Sequence, residues 1–532
     1  MSLRNGLVLS VIASGLAVLV GCGGNGASVT KPVAPPSGTF SNSNLNGTYV
    51  FSISGVDVMG GPYALVGTLT ANGNGGITGG ALDMNDPDFS APVPNTAVSS
   101  GSSYTIGIDG RGRATINATS PFGASLIFDF VLQDSAHGLI TEFDGNATGS
   151  GTLDLQSSGT TASGAYAFSL SGASFTSGSP FAAAGNFTVS NGGTLSGLED
   201  VNEGGVNAFP NEPLTGTLAV GPSSNPSTTL NSSAFSGLFD VFAINASHLK
   251  FIEMDTTATL VGDAYSQTST TMPTGTLAFV VSGEYPSSSS DPFAAGGFMV
   301  TDGNGNITSA SSEDYNEGGN VSATLGAPFT ATYAAGGTGR YTLSNFATFV
   351  GGTTYAAYPS SGGVLLLEID NAGITMGAAY AQTSGATFAA SQGYGLNLTG
   401  SNLSSDVEVD DIAEFASGTG TSITGVIDEN YDPQGLPSYG IALTGTYAAP
   451  VGGRGQIAAN AGNSSNSTLN GGFELVFYTV DGTTFPFIEA DNGQVSAGVF
   501  VAQNPSSTAS AKPHMFVAPP LVRTHGAEQK KK

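Results

Sequence analysis

The sequence predicts an all-β protein built from four tandem modules of about 115 residues, each an eight-stranded up-and-down barrel, with a two-sheet sandwich as the alternative closure. Three observations predict this. One skeleton, E-x-D-x6-G-x4-Q, occurs four times, as "EFDGNATGSGTLDLQ", "EMDTTATLVGDAYSQ", "EIDNAGITMGAAYAQ" and "EADNGQVSAGVFVAQ". Each copy closes a longer unit of short alternating stretches divided by Gly-, Asn- and Asp-rich turns. No stretch carries the 3.6-residue periodicity of an amphipathic helix.

Each unit opens on a strand: "GTYVFSISG" at 47–55, "GAYAFSLSG" at 164–172, "GTLAFVVSG" at 275–283 and "QGYGLNLTG" at 392–400. Alternation puts Tyr49, Phe51 and Ile53 on one face, and Tyr166, Phe168 and Leu170 on the matching one. A Pro-aromatic entry begins the second strand at Pro62-Tyr63, Pro180-Phe181 and Pro292-Phe293; the fourth unit has "VEVDDIAEFAS" instead. Hairpin signals "ANGNGG", "VSNGGT" and "TDGNGN" follow. The third strand ends in D-x-N each time: Asp83-Met84-Asn85, Asp200-Val201-Asn202, Asp314-Tyr315-Asn316 and Asp428-Glu429-Asn430. Three units then carry a Gly-Arg turn, at Arg111, Arg340 and Arg454. A long apolar strand, the E-x-D pair and the final G-x4-Q strand complete the unit. Sequential hairpins favour a meander, and a meander of eight strands removes its free edges by closing on itself. The expected organisation is a leader at 1–21, a Gly/Pro/Ser tether at 22–42, modules at 43–158, 159–269, 270–385 and 386–505, and a disordered basic tail at 506–532. Short linkers such as "TSTTMPT" suggest modules on a string.

Charge narrows the partners. The net charge is −27. Between the tether and the tail lie 38 acids and only five cations, Arg111, Arg113, Lys250, Arg340 and Arg454. Such a body repels phosphate backbones, which excludes nucleic acid as a partner. Its 39% hydrophobic content suffices for several small cores.

Cys22, the one cysteine, follows Arg4 and an apolar run from Leu7 to Val20 that is too short to span a bilayer. Leu19-Val20-Gly21-Cys22 resembles the lipobox of bacterial lipoproteins. The resemblance implies cleavage before Cys22, acylation of its sulfur and anchoring of the chain to a membrane by that lipid. Gly23 rather than Asp after the cysteine implies, by the same resemblance, the outer membrane. The modules are loosely similar to the uncharacterised Gly/Ser-rich repeats of bacterial surface lipoproteins, of the kind seen in acidobacteria, which implies no activity.

The repeated polar residues are the candidate sites. In E-x-D the local reading places Glu142, Glu253, Glu368 and Glu489 near the barrel rim. It has Asp144, Asp255, Asp370 and Asp491 cap the turn into the last strand by accepting backbone N–H bonds. Gln156, Gln267, Gln382 and Gln503 then close the sheet with an amide hydrogen bond, and the motif glycine permits close approach or a positive φ. The sparse cations are not placed to pair with E-x-D as a repeated design. D-x-N offers calcium a set of oxygen ligands at Asp200, Asn202, Asp314 and Asn316, most clearly in "DVNEGG" and "DYNEGG". The EF-hand pattern fails, because position twelve is Asn211 or Leu325 rather than Glu. His137 and His248 recur in only two units and read as turn residues. No G-x-S-x-G, H-E-x-x-H, P-loop or Cys/His metal cluster is present in the sequence. The expectation is therefore a lipid-anchored cell-envelope protein, not an enzyme and without an obligatory cofactor. It displays its modules for adhesion, for binding a surface glycan or protein, or as a spacer. The alternative is a lipocalin-like carrier of small apolar ligands in the barrel mouths.

Overall fold

A computed structural model describes residues 38–507 except 119–124, 158–161, 176, 219–226, 286–290, 323–325, 348–352, 406, 419, 432–436 and 463–471. The leader, Cys22 and the basic tail lie outside the described residues.

The fold is four antiparallel meanders, with strands falling at 46–155, 164–266, 275–381 and 393–502. The second and fourth are closed eight-stranded barrels. The third closes through pairing of Asp291–Thr301 with Asn306–Glu317 and carries the two-residue strand Asn320–Val321 as an appendage. The first is a nine-stranded curled sheet, because its fourth strand is split into Val93–Ala97 and Ser103–Ile106. Its free ends meet at a bridge between Gly76 and Ser103, with Tyr104 N donating to Gly75 O at 2.9 Å.

In every module the first strand pairs with both the second and the last. Alternation then sorts the side chains. Phe51, Phe128 and Leu153 fill barrel 1, and Phe168, Phe187 and Phe251 fill barrel 2. The motif glycine is a close-approach residue rather than a positive-φ one. A Cβ on Gly151, Gly262, Gly377 or Gly498 would lie 1.6, 1.8, 2.0 or 2.1 Å from a carbonyl oxygen of the paired first strand.

A residue preceding the first strand joins the core of each barrel: Phe40, Ala162, Met272 and Phe388. Phe388 stacks on Tyr394 at 4.6 Å and meets Phe477, Phe485 and Phe500 at 5.4, 5.7 and 6.0 Å. Around Phe388 the interior of barrel 4 is thus a packed aromatic core with a stopper.

The modules do not hang on a string. Outward residues of the first and second strands of one barrel pack on the last three strands of the next. The apolar faces are Ala182, Ala184 and Phe298 against Leu365, Leu367, Tyr478 and Ile488 at the 2/3 and 3/4 seams, and Val50, Ala64 and Val66 against Phe242, Ile252 and Val261 at the 1/2 seam. Barrel 4 packs back on barrel 1 through Ile412, Val499 and Val501 against Val131 and Leu139. Four head-to-tail seams close a ring within one chain. Short linkers alone could not distinguish docked from free modules; the apolar outward residues on first and last strands decide it.

Candidate functional site

The repeated polar residues converge on the four seams. The D-x-N asparagine projects out of its own barrel into the E-x-D turn of the next. Asn85 Nδ2 donates to Glu253 O and Ala258 O at 3.0 and 2.8 Å, and Asn202 Nδ2 to Glu368 O and Gly373 O at 2.9 Å each. Asn316 Nδ2 reaches Glu489 O, Asp491 O and Gln494 O at 3.2, 2.8 and 2.9 Å. Asn430 Nδ2 returns to barrel 1, at Glu142 O and Ala147 O, 2.7 and 3.1 Å away. Each amide satisfies carbonyls that the hairpin itself leaves without donors.

The motif glutamines act in the same direction. They do not close their own sheets. Gln156 Nε2 donates to Ala243 O at 2.8 Å, Gln267 Nε2 to Gly339 O and Pro359 O at 3.2 and 2.9 Å, and Gln382 Nε2 to Thr479 O at 2.8 Å. Gln503 Nε2 crosses to Asp109 O and Leu132 O at 2.8 and 3.1 Å. A main-chain bond accompanies each glutamine: Ser157 N to Ile244 O, Ser361 N to Ser266 O, Thr383 N to Val480 O and Asn504 N to Gln133 O, all at 2.7–2.8 Å.

The D-x-N aspartate does two jobs. Its carboxylate accepts a backbone N–H from a residue in left-handed conformation on, or immediately before, the fourth strand: Asn95 for Asp83, Asn211 for Asp200, Gly326 for Asp314 and Gly440 for Asp428. It also receives the Gly-Arg guanidinium of the next barrel. Arg340 grips Asp200 with Nε at 2.8 Å and Nη2 at 2.6 Å, and Arg454 grips Asp314 at 2.8 and 2.9 Å. Arg111 places Nη1 on both oxygens of Asp428 at 3.0 and 2.9 Å while Nε holds Asp109. Tyr358 and Tyr478 donate their hydroxyls to Asp200 and Asp314. The cations do not pair with E-x-D; three of them pair across seams with D-x-N, a design that the local reading did not foresee. At Asp200, Asn202, Asp314 and Asn316, the candidate calcium ligands, both oxygens of each aspartate face an arginine and each asparagine amide points into the neighbouring hairpin.

The 1/2 seam departs from the pattern. Lys250, 1% exposed, donates to Thr152 Oγ1 of barrel 1 at 2.7 Å and to Asp263 Oδ1 at 3.0 Å. His248 Nε2 sits 2.6 Å from the same Asp263 oxygen and stacks on Tyr265. Burial would raise the Asp263 carboxyl, but Lys250 and His248 together hold it down at about 2. His248 and His137 begin strands and are not turn residues.

In E-x-D the aspartates cap as expected. Asp144 accepts from Ile127 N and Asn146 N, Asp255 from Leu238 N and Thr257 N, Asp370 from Thr354 N and Ala372 N, and Asp491 from Glu474 N and Gly493 N. The glutamates end their strands, near the rim, but are turned inward rather than toward water. Glu142, Glu253, Glu368 and Glu489 are at most 1% exposed and lie on the inward face. Glu253 accepts from Thr257 Oγ1 at 2.6 Å, Glu368 from Thr375 Oγ1 at 2.8 Å and Glu489 from Ser496 Oγ at 2.5 Å. Burial pushes Glu253 up to about 9 and Glu368 to about 8, and drives Glu142 and Glu489 well above the carboxyl range. A neutral carboxyl with a hydroxyl partner is the form such a site tolerates.

No family model and no curated protein matches the chain. Among solved structures, the isotype 1 transferrin binding protein B of serogroup B Neisseria meningitidis aligns at 10% identity over 69% of this chain and 84% of that one, with a TM-score of 0.17. A mutant of the vaccine antigen transferrin binding protein B from Haemophilus parasuis Hp5 aligns at 8% identity over 69% and 82%, with a TM-score of 0.16.

Proposed function

We propose that the protein is a lipid-anchored cell-envelope protein whose four barrels, locked as a ring, form a non-catalytic scaffold for binding a surface protein or glycan. The observation that carries this reading is the use of the repeated polar residues. Asn, Gln, Asp and Arg recur because each seam needs them, so their repetition does not require a repeated reaction. The packed, stoppered interiors do not favour the carrier reading, and what remains for recognition is the outer surface of the ring. Anchoring rests on the lipobox-like Leu19 to Cys22, and Gly23 in place of Asp after the cysteine favours the outer membrane.

The first test is the anchor. Detergent phase partitioning with palmitate labelling should place the wild-type protein in the detergent phase with label, and Cys22→Ser in the aqueous phase without it. A wild-type protein that takes no label, or a Cys22→Ser variant that still partitions into detergent, refutes lipid anchoring. Specific turnover of a glycan or peptide by the purified protein refutes the non-catalytic reading.

A further inference from the structure

Barrel 4 differs from its three siblings at one interior place. The register pairs Leu65 with Met84 in barrel 1, Ala183 with Val201 in barrel 2 and Ala295 with Tyr315 in barrel 3. At the same cross-strand position barrel 4 has Asp411 opposite Glu429. Both are 0% exposed. Directly opposed side chains on neighbouring strands have Cβ atoms about 5 Å apart, and like charges there repel. Neither carboxylate has a hydrogen-bond partner on either oxygen. The charges acting most strongly on Asp411 are all carboxylates, those of Glu429, Asp410, Glu489 and Asp428.

A second observation points the same way. Glu489 shares this inward face, and next to it on the last strand stands Gln494, 2% exposed. Its Nε2 lies 3.5 Å from Ser496 Oγ, the hydroxyl that donates to Glu489. Its amide oxygen is buried with no donor. An amide carbonyl and three carboxyls in a dry interior form a hard-oxygen set that a divalent cation would deprotonate and hold. We propose that the interior of barrel 4 binds one hard divalent cation of the calcium class through Asp411, Glu429, Glu489 and the Gln494 amide oxygen. Binding requires the two glutamate side chains to rotate toward Asp411 and the Gln494 amide, whose Nε2 now faces Ser496, to turn its oxygen inward.

The rival is Asp57, Asp86 and Asp88 in barrel 1, whose carboxylate oxygens lie within 4.8 Å of one another. Those groups already have donors. Asp57 Oδ1 accepts from Met59 N and Gly61 N, Asp86 Oδ1 accepts from Asp88 N, and Asp88 is exposed to water. In barrel 4 the Asp411 and Glu429 oxygens have no donor.

The test is calorimetric titration of the purified, chelator-treated protein with calcium chloride, paired with melting curves in chelator and in millimolar calcium. The expected result is one calcium per chain and a higher melting temperature in calcium. The double substitution Asp411→Ala with Glu429→Val, which installs the residues of barrel 2, should abolish both effects and melt no lower than the wild type in chelator. Glu489→Gln, which keeps the side chain's shape, should weaken binding at least tenfold and covers the case in which the double variant fails to fold. No binding by the wild type at millimolar calcium overturns the proposal. So does binding that survives Glu489→Gln and the double substitution but is lost in Asp88→Asn, which would assign the ion to barrel 1.

Discussion

Replacing Arg340 with alanine tests the ring most directly. The guanidinium is 4% exposed and Asp200 0%, and two charge-assisted hydrogen bonds of 2.8 and 2.6 Å join them across the 2/3 seam. Removal strands a carboxylate that keeps only the Asn211 N–H and the Tyr358 hydroxyl. Stranding one member of a buried pair costs about 3–5 kcal/mol, whereas an exposed pair contributes about 0–1 kcal/mol. With a urea dependence of about 2 kcal/mol per molar, the transition should move down by roughly 1.5–2.5 M. The chain has no tryptophan, so unfolding is followed by circular dichroism and by tyrosine emission, to which Tyr358 at the seam contributes. Urea is the denaturant because guanidinium would screen the pair. A double-mutant cycle with Asp200→Asn should return a coupling of about 1–3 kcal/mol that changes little between low and molar salt. A loss under about 1 kcal/mol that disappears in high salt would refute the reasoning, since the pair would then face water and barrels 2 and 3 would not be docked.

Two further outcomes follow from the same geometry. Asn430→Ala with Gln503→Ala removes four hydrogen bonds at the 4/1 seam, each worth about 1 kcal/mol with more for the carbonyls left buried. This seam has no linker, so the ring should open and the radius of gyration from X-ray scattering should rise; an unchanged radius contradicts closure by these residues. Stability should also fall as pH rises. Glu253 and Glu368 keep their protons up to about 9 and about 8 in the folded state but lose them near the ordinary carboxyl value when unfolded. The unfolded chain therefore binds fewer protons across that window, and the stabilisation present in acid declines by up to about 1.4 kcal/mol per pH unit for each group. Glu253→Gln should flatten the decline between pH 5 and pH 8, measured by urea midpoints; a wild type whose stability rises over that range contradicts neutral interior carboxyls.

The barrels were legible in the sequence because their signals are local. Alternation with period two, a hairpin turn at each junction and the repeat itself lie within a few residues of what they specify. The Asp caps were legible for the same reason, since Asp370 serves the N–H of Ala372, two residues away. The seams were not. Asn202 finds its partners 166 and 171 residues on, and Asn430 reaches 288 residues back. Only the pattern of surplus could have shown them. Outward positions such as Ala182, Ala184 and Ala278 are apolar where a solitary barrel would be polar, and three arginines match three D-x-N aspartates one module earlier in cyclic order. The inward burial of the glutamates was missed because an energetic objection overrode parity. Val364, Leu366 and Glu368 alternate onto one face, and a neutral carboxyl bonded to Thr375 makes that face tolerable.

Closure of the ring follows from carrying both halves of one interface on every module. A heterologous contact repeated along a chain makes an open filament unless its rotation divides a full turn; here four copies complete it. The seams are unequal in a way that fits their covalent situation. Seams 2/3 and 3/4 share one apolar cluster and a bidentate arginine each, while 1/2 substitutes Lys250, which reaches Thr152 and Asp154 of barrel 1 at 2.7 and 3.9 Å. Seam 4/1 has the smaller apolar patch and no linker, yet it gains contacts that the others lack. Asn44 Nδ2 donates to Pro505 O at 2.9 Å, Ser135 Oγ to Ser507 O at 3.0 Å, and Arg113 lies over the Tyr439 ring at 4.8 Å. The two ends of the described chain thus meet where the ring is joined without a peptide bond. If the tether that begins at Cys22 holds the protein to a membrane, its pull enters beside the Asn44–Pro505 contact, at the one seam where only side chains and hydrogen bonds resist opening. The extra contacts at that seam are where such a load requires them.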